Sequence, residues 1–133
     1  MKTYFADNHM QQAGNLSILV IEDSEPIREL ICLNLEEEGC HVESAGNGKE
    51  GFELFTKKHF DMVFTDLIMP EMSGCELAEK IKGINKNITV VLVTAWANDY
   101  SESELQNKGI DYIVKKPFRD HQILQLLHKE VKV

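Results

Sequence analysis

The sequence predicts an α/β domain built on a doubly wound, five-stranded parallel sheet. Short apolar runs that are rich in Val and Ile alternate along the chain with longer amphipathic stretches, as strands covered by helices on both faces do. The chain of 133 residues has room for one such domain with a single core. We assign residues 16–133 to this domain and residues 1–15, which are polar and aperiodic, to a flexible leader.

Four of the predicted strands lead directly into reactive polar side chains. These transitions are Ile18–Ile21 into Glu22 and Asp23, Met62–Thr65 into Asp66, Val90–Val93 into Thr94, and Ile113–Val114 into Lys115, Lys116 and Pro117. The carboxyl ends of parallel strands share one edge of the sheet, where doubly wound folds bind their ligands. We therefore expect three carboxylates, a hydroxyl group and an ammonium group to meet at this carboxyl edge.

The order of the strands follows from the one strand whose pattern differs. Residues 41–45 alternate polar and apolar side chains, which is typical of a half-exposed edge strand, whereas the first, third and fourth strands are continuous apolar runs. Since crossovers are right-handed, this pattern favours the order 2-1-3-4-5 of a flavodoxin-like (βα)5 fold. Glu22, Asp23 and Asp66 would then face the crevice between the first and third strands.

The amphipathic stretches carry recognisable helix signals. Ser24 precedes the first helix, with Pro26 in its first turn. The next three helices begin with pairs at the spacing of a capping box, namely Asn47 with Glu50, Ser73 with Glu76, and Ser101 with Glu104. The last helix is predicted from about Arg119, and Gly39 and Gly109 stand where two other helices should end.

Composition argues against several classes of function. The net charge of −8 repels nucleic-acid phosphates and anionic lipid, so we expect neither direct nucleic-acid binding nor membrane association. Cys32, Cys40 and Cys75 are odd in number and show no ligand-like pairing with the histidines, which argues against disulfides and zinc. The sequence contains no apolar run of membrane-spanning length and no secretory signal. We expect a cytoplasmic protein.

The predicted group of acids requires a cation. Two carboxylates about 4 to 5 Å apart repel by roughly 3 to 4 kcal/mol at an effective dielectric constant near 20. A hard divalent ion suits oxygen ligands, and Mg²⁺ binds through one or two carboxylates together with water and a phosphate oxygen. The alternative is that acidic residues simply end strands and cap helices, which for Glu22 alone is the simpler interpretation. It does not account for Thr94 and Lys116 at the same edge.

A divalent ion, a lysine and a hydroxyl group are the components that hold a phosphoryl group during transfer. A carboxylate among them can be the nucleophile and form an aspartyl phosphate. Asp66 is the best candidate, because it stands alone on the central strand before the loop Leu67–Pro70, whose backbone can turn around an incoming group. Asp23 would then be the second carboxylate of the metal site.

These residues resemble the signature of the response-regulator receiver domain of two-component signalling, as in chemotaxis regulators. The resemblance covers roughly residues 16–131 and rests on four motifs in order, Glu22-Asp23, Asp66 through Gly74, Thr94-Ala95 and Lys116-Pro117-Phe118. It implies that Asp66 accepts a phosphoryl group from a phosphohistidine of a sensor histidine kinase or phosphotransfer protein. It also implies that Asp23, Asp66 and the backbone carbonyl group of Ile68 bind Mg²⁺, with Glu22 assisting through water.

The resemblance further implies a conformational switch. Lys116 would pair with a phosphoryl oxygen across a cis Lys116–Pro117 bond, and Thr94 would move to hydrogen-bond the phosphoryl group. The output surface would be helix four, strand five and helix five, which would act on a protein partner or an output domain. In the family an aromatic residue usually lies three positions before the lysine, whereas this chain has Ile113 there and Tyr112 one residue early. A shift of one residue turns a side chain to the opposite face of the sheet.

Two apolar residues near the predicted acceptor suggest slow loss of the phosphoryl group. Ile68 and Trp96 lie two residues after Asp66 and Thr94, at positions that flank the path of the hydrolytic water in the family. We therefore expect a long-lived phosphorylated form. The alternative for Trp96 is that it packs against helix four.

Three functions are compatible with the sequence. The first is a phosphoacceptor switch that catalyses only its own phosphorylation and dephosphorylation, as a monomer or a phosphorylation-dependent dimer. The second is a receiver-fold module that binds a partner without phosphorylation, which would be expected to have lost Asp66 or Lys116. The third is a phosphotransfer enzyme with another substrate, but aspartate-based phosphatases usually carry a second acid where this chain has Ile68. The intact residues favour the first.

Overall fold

Strands and helices alternate along the chain in the predicted order. The computed structural model describes residues 16–96 and 99–130, so the predicted leader at residues 1–15 lies outside the described residues. The strands are β1 (Ser17–Ile21), β2 (His41–Ala45), β3 (Met62–Thr65), β4 (Thr89–Thr94) and β5 (Tyr112–Lys115). The helices are α1 (Glu25–Glu37), α2 (Gly48–Lys57), α3 (Gly74–Ile84), α4 (Glu102–Asn107) and α5 (Asp120–Glu130).

The strands form one parallel sheet in the order β2-β1-β3-β4-β5. This order confirms the predicted doubly wound α/β fold. In the pairing of β1 with β3, Ile21 lies opposite Thr65. Glu22 and Asp66, which follow these two residues, therefore leave the sheet side by side at the carboxyl edge.

Burial explains the pattern of the edge strand. The side chains of β3 and β4 are buried throughout, and those of β1 are buried except for Ser17. In β2 only Ala45 is buried, and the other residues are exposed or half-buried. The three polar residues among 41–45 thus belong to a strand with one neighbour, as predicted, although the burial of this strand does not alternate.

The strands direct their side chains into two core clusters, one on each face of the sheet. Leu19 and Ile21 pack in the cluster that includes residues of α2, α3 and α4, whereas Ile18 and Val20 pack in the cluster that includes residues of α1 and α5. All four are fully buried. Truncating a buried Leu or Ile to Ala costs about 2 to 5 kcal/mol, so these clusters hold the sheet and its loops in place.

The predicted helix signals are borne out, with one exception. Three N-cap side chains accept a hydrogen bond from the predicted backbone N–H, Asn47 from Glu50, Ser73 from Glu76, and Ser101 from Glu104. Ser24 stands at the N-cap of α1, but its side chain makes no capping hydrogen bond. Gly39 and Gly109 follow α1 and α4 with φ angles of 90° and 94°, the left-handed conformation expected after a helix end.

Two aspartates lie at the amino edge of the sheet, opposite the predicted site. Oδ2 of Asp61 accepts a hydrogen bond of 2.8 Å from the backbone N–H of Ser17. Oδ2 of Asp111 accepts hydrogen bonds of 2.8 Å from the backbone N–H of Val90 and from Nζ of Lys82. Acids at this edge therefore satisfy backbone donors where the strands begin.

The three cysteines, all within the described residues, form no disulfide, and Cys40 and Cys75 are buried while Cys32 is half-buried. Burial raises the pKa of the Cys40 thiol to about 11, so this thiol stays protonated at neutral pH. Within the described part of the chain, no helix has the length and apolar character needed to cross a membrane.

Candidate functional site

Three carboxylates meet where β1 and β3 end. One carboxylate oxygen from each of Glu22, Asp23 and Asp66 lies within 4.8 Å of the others, and we call these residues the acid cluster. Glu22 and Asp66 are 1% and 8% exposed, whereas Asp23 is exposed. The structure thus brings together the three acids that the sequence singled out, because the register of β1 and β3 sets the two strand ends level.

Lys116 lies among these acids. Its Nζ atom donates hydrogen bonds to Oε1 of Glu22 at 2.9 Å and to Oδ2 of Asp66 at 3.0 Å, and its side chain is 17% exposed. Its backbone N–H donates to the carbonyl oxygen of Thr94 at 2.9 Å, which ties the end of β5 to β4. The Lys116–Pro117 peptide bond is cis, as predicted. One ammonium group is therefore shared by two carboxylates of the acid cluster.

The surroundings shift the pKa of two groups at this site. Burial raises the pKa of Glu22 and the nearby Asp66 carboxylate adds to this effect, while hydrogen bonds from Lys116 and from the backbone N–H of Ser24 oppose it. Burial lowers the pKa of Lys116, but its hydrogen bonds to Glu22 and Asp66 outweigh burial and the pKa is raised overall. Lys116 therefore remains charged at neutral pH, whereas the charged form of Glu22 is destabilised by its position.

The backbone around Asp66 is held on several sides. Its N–H donates to the carbonyl oxygen of Ile21 at 3.1 Å, and its Oδ1 atom accepts a hydrogen bond of 2.7 Å from the N–H of Leu67. The N–H of Gly74, the first residue of α3, donates to the carbonyl oxygen of Leu67 at 2.8 Å. A Cβ atom at position 74 would come within 2.1 Å of the Asp66 carbonyl oxygen. Only glycine permits this approach of α3 to the predicted acceptor.

Thr94 is fully buried at the end of β4. Its Oγ1 atom accepts a hydrogen bond of 3.0 Å from the backbone N–H of Trp96. Among the hydrogen bonds of residues 16–96 and 99–130, none joins the Thr94 side chain to the acid cluster. Thr94 thus lies at the predicted edge and is connected to Lys116 through the backbone, without a direct bond to the acids.

Two exposed apolar side chains flank the site. Ile68 is 55% exposed in the loop after Asp66, and Trp96 is 54% exposed in the segment after Thr94. Trp96 is not among the described residues that pack in or against the two core clusters. Trp96 is thus outside the core, and the alternative that it packs against α4 stays a prediction.

The two residues at the start of β5 face opposite ways. Ile113 packs against the core cluster that includes Leu105 of α4. Tyr112 packs against the cluster on the other face, which includes residues of α1 and α5. The one-residue shift of the aromatic residue therefore has the expected result. The aliphatic Ile113 lies on the α4 face of β5, and Tyr112 lies on the opposite face.

Arg28 also contributes to this edge, although no sequence pattern pointed to it. Its Nη1 atom donates a hydrogen bond of 2.8 Å to the backbone carbonyl oxygen of Glu22. A side chain that bonds to a backbone carbonyl six residues earlier leaves no periodic signal. The available signal is its place as the fourth residue of α1, where the helix dipole disfavours a positive charge.

The donors of the site fit a hard divalent cation. The acid cluster supplies carboxylate oxygens from three residues, and Lys116 alone leaves an excess of negative charge. Mg²⁺ typically binds through one or two carboxylates and keeps several waters, which suits a cluster with one exposed acid at an open edge. Ile68, whose backbone carbonyl group is a further predicted ligand, is itself exposed in the loop after Asp66.

Comparisons with known proteins point to one family. Residues 18–128 match the sequence model of a family described as response regulator receiver domain. The transcriptional regulatory protein SrrA of Staphylococcus aureus is 30% identical over 107 residues, which make up 80% of this chain and 44% of SrrA. The chain thus spans less than half the length of the curated relatives that it matches.

Solved structures of response regulators share the fold. The response regulator TrrA of Thermotoga maritima, determined in complex with Mg²⁺-BeF, is 33% identical with a TM-score of 0.78, and the match covers 86% of this chain and 98% of TrrA. The chemotaxis response regulator CheY4 of Vibrio cholerae is 26% identical with a TM-score of 0.80, and the match covers the same shares of the two chains, 86% and 98%.

Proposed function

The chain belongs to the response regulator receiver domain family, and we propose that it is a phosphoacceptor switch in two-component signalling. Asp66 takes a phosphoryl group from a phosphohistidine of a sensor histidine kinase or a phosphotransfer protein. The added group changes the surface formed by α4, β5 and α5. The chain catalyses only its own phosphorylation and dephosphorylation.

The observation that carries this proposal is the charge imbalance around Asp66. This carboxylate is buried, has Lys116 at 3.0 Å, and lies in a cluster with Glu22 and Asp23. Two further acids beside a buried carboxylate destabilise the fold unless a ligand compensates for them. They are useful when a divalent cation and a phosphoryl group occupy the site together.

The residues have separate tasks during transfer. A carboxylate oxygen of Asp66 attacks phosphorus, a P–O bond forms while the P–N bond of the phosphohistidine breaks, and the imidazole nitrogen leaves with that electron pair. Lys116 moves one of its hydrogen bonds from a carboxylate to a phosphoryl oxygen and stabilises the charge that develops there. The hydrogen bond from the N–H of Leu67 to Oδ1 orients the Asp66 carboxylate for the attack.

Asp23, Asp66 and the carbonyl group of Ile68 would hold Mg²⁺, with Glu22 assisting through water. When bound, the ion neutralises charge on the phosphoryl oxygens and offsets the repulsion within the acid cluster. Both carboxylate oxygens of Glu22 already accept hydrogen bonds, from Lys116 and from a backbone N–H, which supports an indirect role. Asp23 is exposed and makes no hydrogen bond or ion pair with any described residue, which supports direct ligation.

Thr94 senses the phosphoryl group. Its hydroxyl oxygen accepts a hydrogen bond from the backbone N–H of Trp96, and no described residue accepts the hydroxyl proton, which can therefore be donated. A phosphoryl group with a charge of about −1.5 to −2 attracts this donor and draws the segment after β4 toward Asp66. Because Ile113 packs on the α4 face of β5, the change passes to the output surface through aliphatic packing rather than through an aromatic side chain.

The signal leaves the domain through protein contacts in the cytoplasm. The receiver is a monomer or a dimer that forms on phosphorylation, and it binds neither nucleic acid nor membrane directly, in keeping with its net charge of −8. The recipient is a separate protein or an attached output domain. The second possibility is supported by the length of SrrA, of which the match covers 44%.

Phosphorylation by a small donor tests the proposal. The chain is incubated with Mg²⁺ and acetyl phosphate, and intact mass spectrometry counts the phosphoryl groups on each chain. We expect one group on the wild type and none on Asp66→Asn, because an amide cannot replace the carboxylate as the nucleophile. Without Mg²⁺ the wild type should react much more slowly.

Asp99→Asn is the matched control for this experiment, since Asp99 is an exposed aspartate outside the acid cluster. This variant should accept one phosphoryl group, as the wild type does. A wild type that stays unmodified, or an adduct that persists in Asp66→Asn, would overturn the proposal.

A further inference from the structure

Arg28 connects the end of β1 with the turn that follows β2. Its Nη1 atom donates a hydrogen bond of 2.8 Å to the carbonyl oxygen of Glu22, and its side chain is 20% exposed. A Cβ atom built at Gly46 would lie 3.3 Å from the same nitrogen. Nη2 is 3.8 Å from Oε2 of Glu25, whose side chain is 73% exposed, so this ion pair contributes little. The bond to Glu22 is therefore the main polar contact of the guanidinium group.

The carbonyl group that Arg28 holds lies where β1 leaves the sheet. The N–H of Glu22 still donates to the carbonyl oxygen of Ala45 at 3.1 Å, in the manner of a strand residue. The carbonyl group of Glu22 belongs to the next peptide unit, which is planar and joins Glu22 to Asp23. Arg28 thus fixes the orientation of the peptide unit between two members of the acid cluster.

Asp23 depends on this peptide unit more than Glu22 does. The carboxylate of Glu22 is held by Lys116 and by the backbone N–H of Ser24. The carboxylate of Asp23 is exposed and, in the part of the chain that the structure describes, has no hydrogen bond or ion pair of its own. The place of Asp23 in the cluster is therefore set by the backbone that Arg28 holds.

A positive charge at this position is disfavoured both by the helix dipole and by a divalent cation bound at the acid cluster. Arg28 is the fourth residue of α1, close to the helix end at which the dipole favours anions. A cation near the acid cluster also opposes the binding of a divalent ion. The hydrogen bond to the Glu22 carbonyl oxygen accounts for an arginine at a position where the helix dipole and a bound cation disfavour positive charge.

We propose that Arg28 is a positioning residue for the divalent cation site, because it orients the Glu22–Asp23 peptide unit and so places the Asp23 carboxylate beside Asp66. This inference rests on the proposed function, which assigns the cation to the acid cluster. Residues that orient metal ligands typically change metal affinity by about 10- to 100-fold, so we expect Arg28→Gln to bind Mg²⁺ about tenfold more weakly than the wild type.

The direction of the change in Mg²⁺ affinity distinguishes a positioning role of Arg28 from an effect of its charge. If Arg28 acted through its charge alone, Arg28→Gln would bind Mg²⁺ more tightly, because a repelling cation is removed. Isothermal titration with Mg²⁺ alone, without a phosphoryl donor, measures the affinity. Arg119→Gln is the matched control, since Arg119 is exposed and the substitution removes the same charge. Its affinity should equal or exceed that of the wild type.

Arg28→Lys is a second variant, which retains the charge and a single donor group. Its Mg²⁺ affinity should lie between those of the wild type and Arg28→Gln, and thermal unfolding without metal checks that each variant is folded. Unchanged or tighter Mg²⁺ binding by Arg28→Gln would overturn the inference. If Arg28→Gln does not fold, wild-type Mg²⁺ affinity in Arg28→Lys would overturn it instead. If the wild type binds Mg²⁺ and is phosphorylated on Asp66 in these cases, the proposed function stands. A wild type that does neither would overturn both.

Discussion

Acidic residues lie at both edges of the sheet, but their partners differ. At the amino edge, Asp61 and Asp111 each accept a hydrogen bond from a backbone N–H, and each has a side-chain partner of its own, His59 at 3.1 Å and Lys82 at 2.8 Å. At the carboxyl edge, two of the three acids share Lys116 and the third has no partner among the described residues. The acids of one edge are paired individually, whereas those of the other have more negative charge than the protein neutralises.

This difference separates acids that build the fold from acids that, in the proposed function, bind a ligand. Individual pairs at the amino edge satisfy the backbone where strands begin, and they need no further group. The excess charge at the carboxyl edge is a local instability of the kind that proteins accept at binding sites. Matched substitutions at the two edges should therefore differ in their effects on activity and on stability.

The largest difference is expected between the two lysines. Lys116→Met removes the ammonium group bonded to Asp66 and should slow phosphorylation by acetyl phosphate on the order of 100-fold, as loss of one charge-stabilising donor does at other sites. Lys82→Met should leave the rate unchanged, because Asp111 lies at the opposite edge and keeps the N–H of Val90. Time courses of intact mass measure both rates. Equal losses of phosphorylation rate in Lys116→Met and Lys82→Met would contradict the functional difference between the two edges of the sheet.

Neutralising one aspartate at each edge should change stability in opposite directions. Asp23→Asn relieves repulsion and should raise the free energy of unfolding without metal by about 0.5 to 1 kcal/mol, the size of an exposed charge interaction. Asp61→Asn weakens the bonds to Ser17 and His59 and should lower it by about 1 kcal/mol. Urea denaturation in the presence of EDTA measures both values. Destabilisation by Asp23→Asn would show that the carboxyl edge carries no excess charge.

A smaller effect is expected on the lifetime of the phosphorylated form. Ile68→Asn should speed dephosphorylation several-fold, because a polar side chain beside Asp66 admits and orients water, and Trp96→Ala should act in the same direction. Ile84→Asn is the control, since Ile84 is 57% exposed against 55% for Ile68 and lies at the end of α3 toward the amino edge. Intact mass after removal of the donor gives the rates. If neither Ile68→Asn nor Trp96→Ala changes the rate, the two side chains do not protect the phosphoryl group.

The smallest effect is a dependence of stability on pH at Glu22. Burial first, and then Asp66, raise its pKa in the folded chain above the unfolded value, so the folded state binds this proton more tightly. Stability therefore falls as the pH rises from the usual glutamate pKa through the raised one. The stability gained by Glu22→Gln should grow across this window and level off above it. Urea denaturation with EDTA at several pH values measures this gain, and a gain that shrinks with pH would contradict the assignment.

Local patterns in the sequence predict most of the fold and the members of the acid cluster. The polar residues among 41–45 identified the edge strand, and Ser73 with Glu76 identified the start of α3. The ends of the apolar runs located Glu22 and Asp66 at one edge. Each of these features depends on periodicity or on residues close in the chain, which is why a single sequence reveals it.

The sequence does not reveal two kinds of contact. One joins a side chain to a backbone group elsewhere in the chain, and the other joins two backbone groups across a turn in a loop. Arg28 reaches back to the carbonyl oxygen of Glu22, and the N–H of Gly74 returns to Leu67. Such contacts depend on the direction of a rotamer or a loop, and neither leaves a repeat in the sequence. The sequence also does not reveal the partners of Asp61. Only the structure shows that Asp61 bonds to the backbone of Ser17, whereas Asp66 bonds to Lys116.

The close approach of Gly74 to the Asp66 carbonyl group has a mechanical consequence. Because the first residue of α3 packs closely on the peptide group of Asp66, we expect this helix and the proposed acceptor to move together. The short α4, of six residues, has no such anchor in the backbone of Asp66 and is attached to the core through Leu105. We therefore expect a rearrangement that starts at Asp66 to displace α4 more than α3.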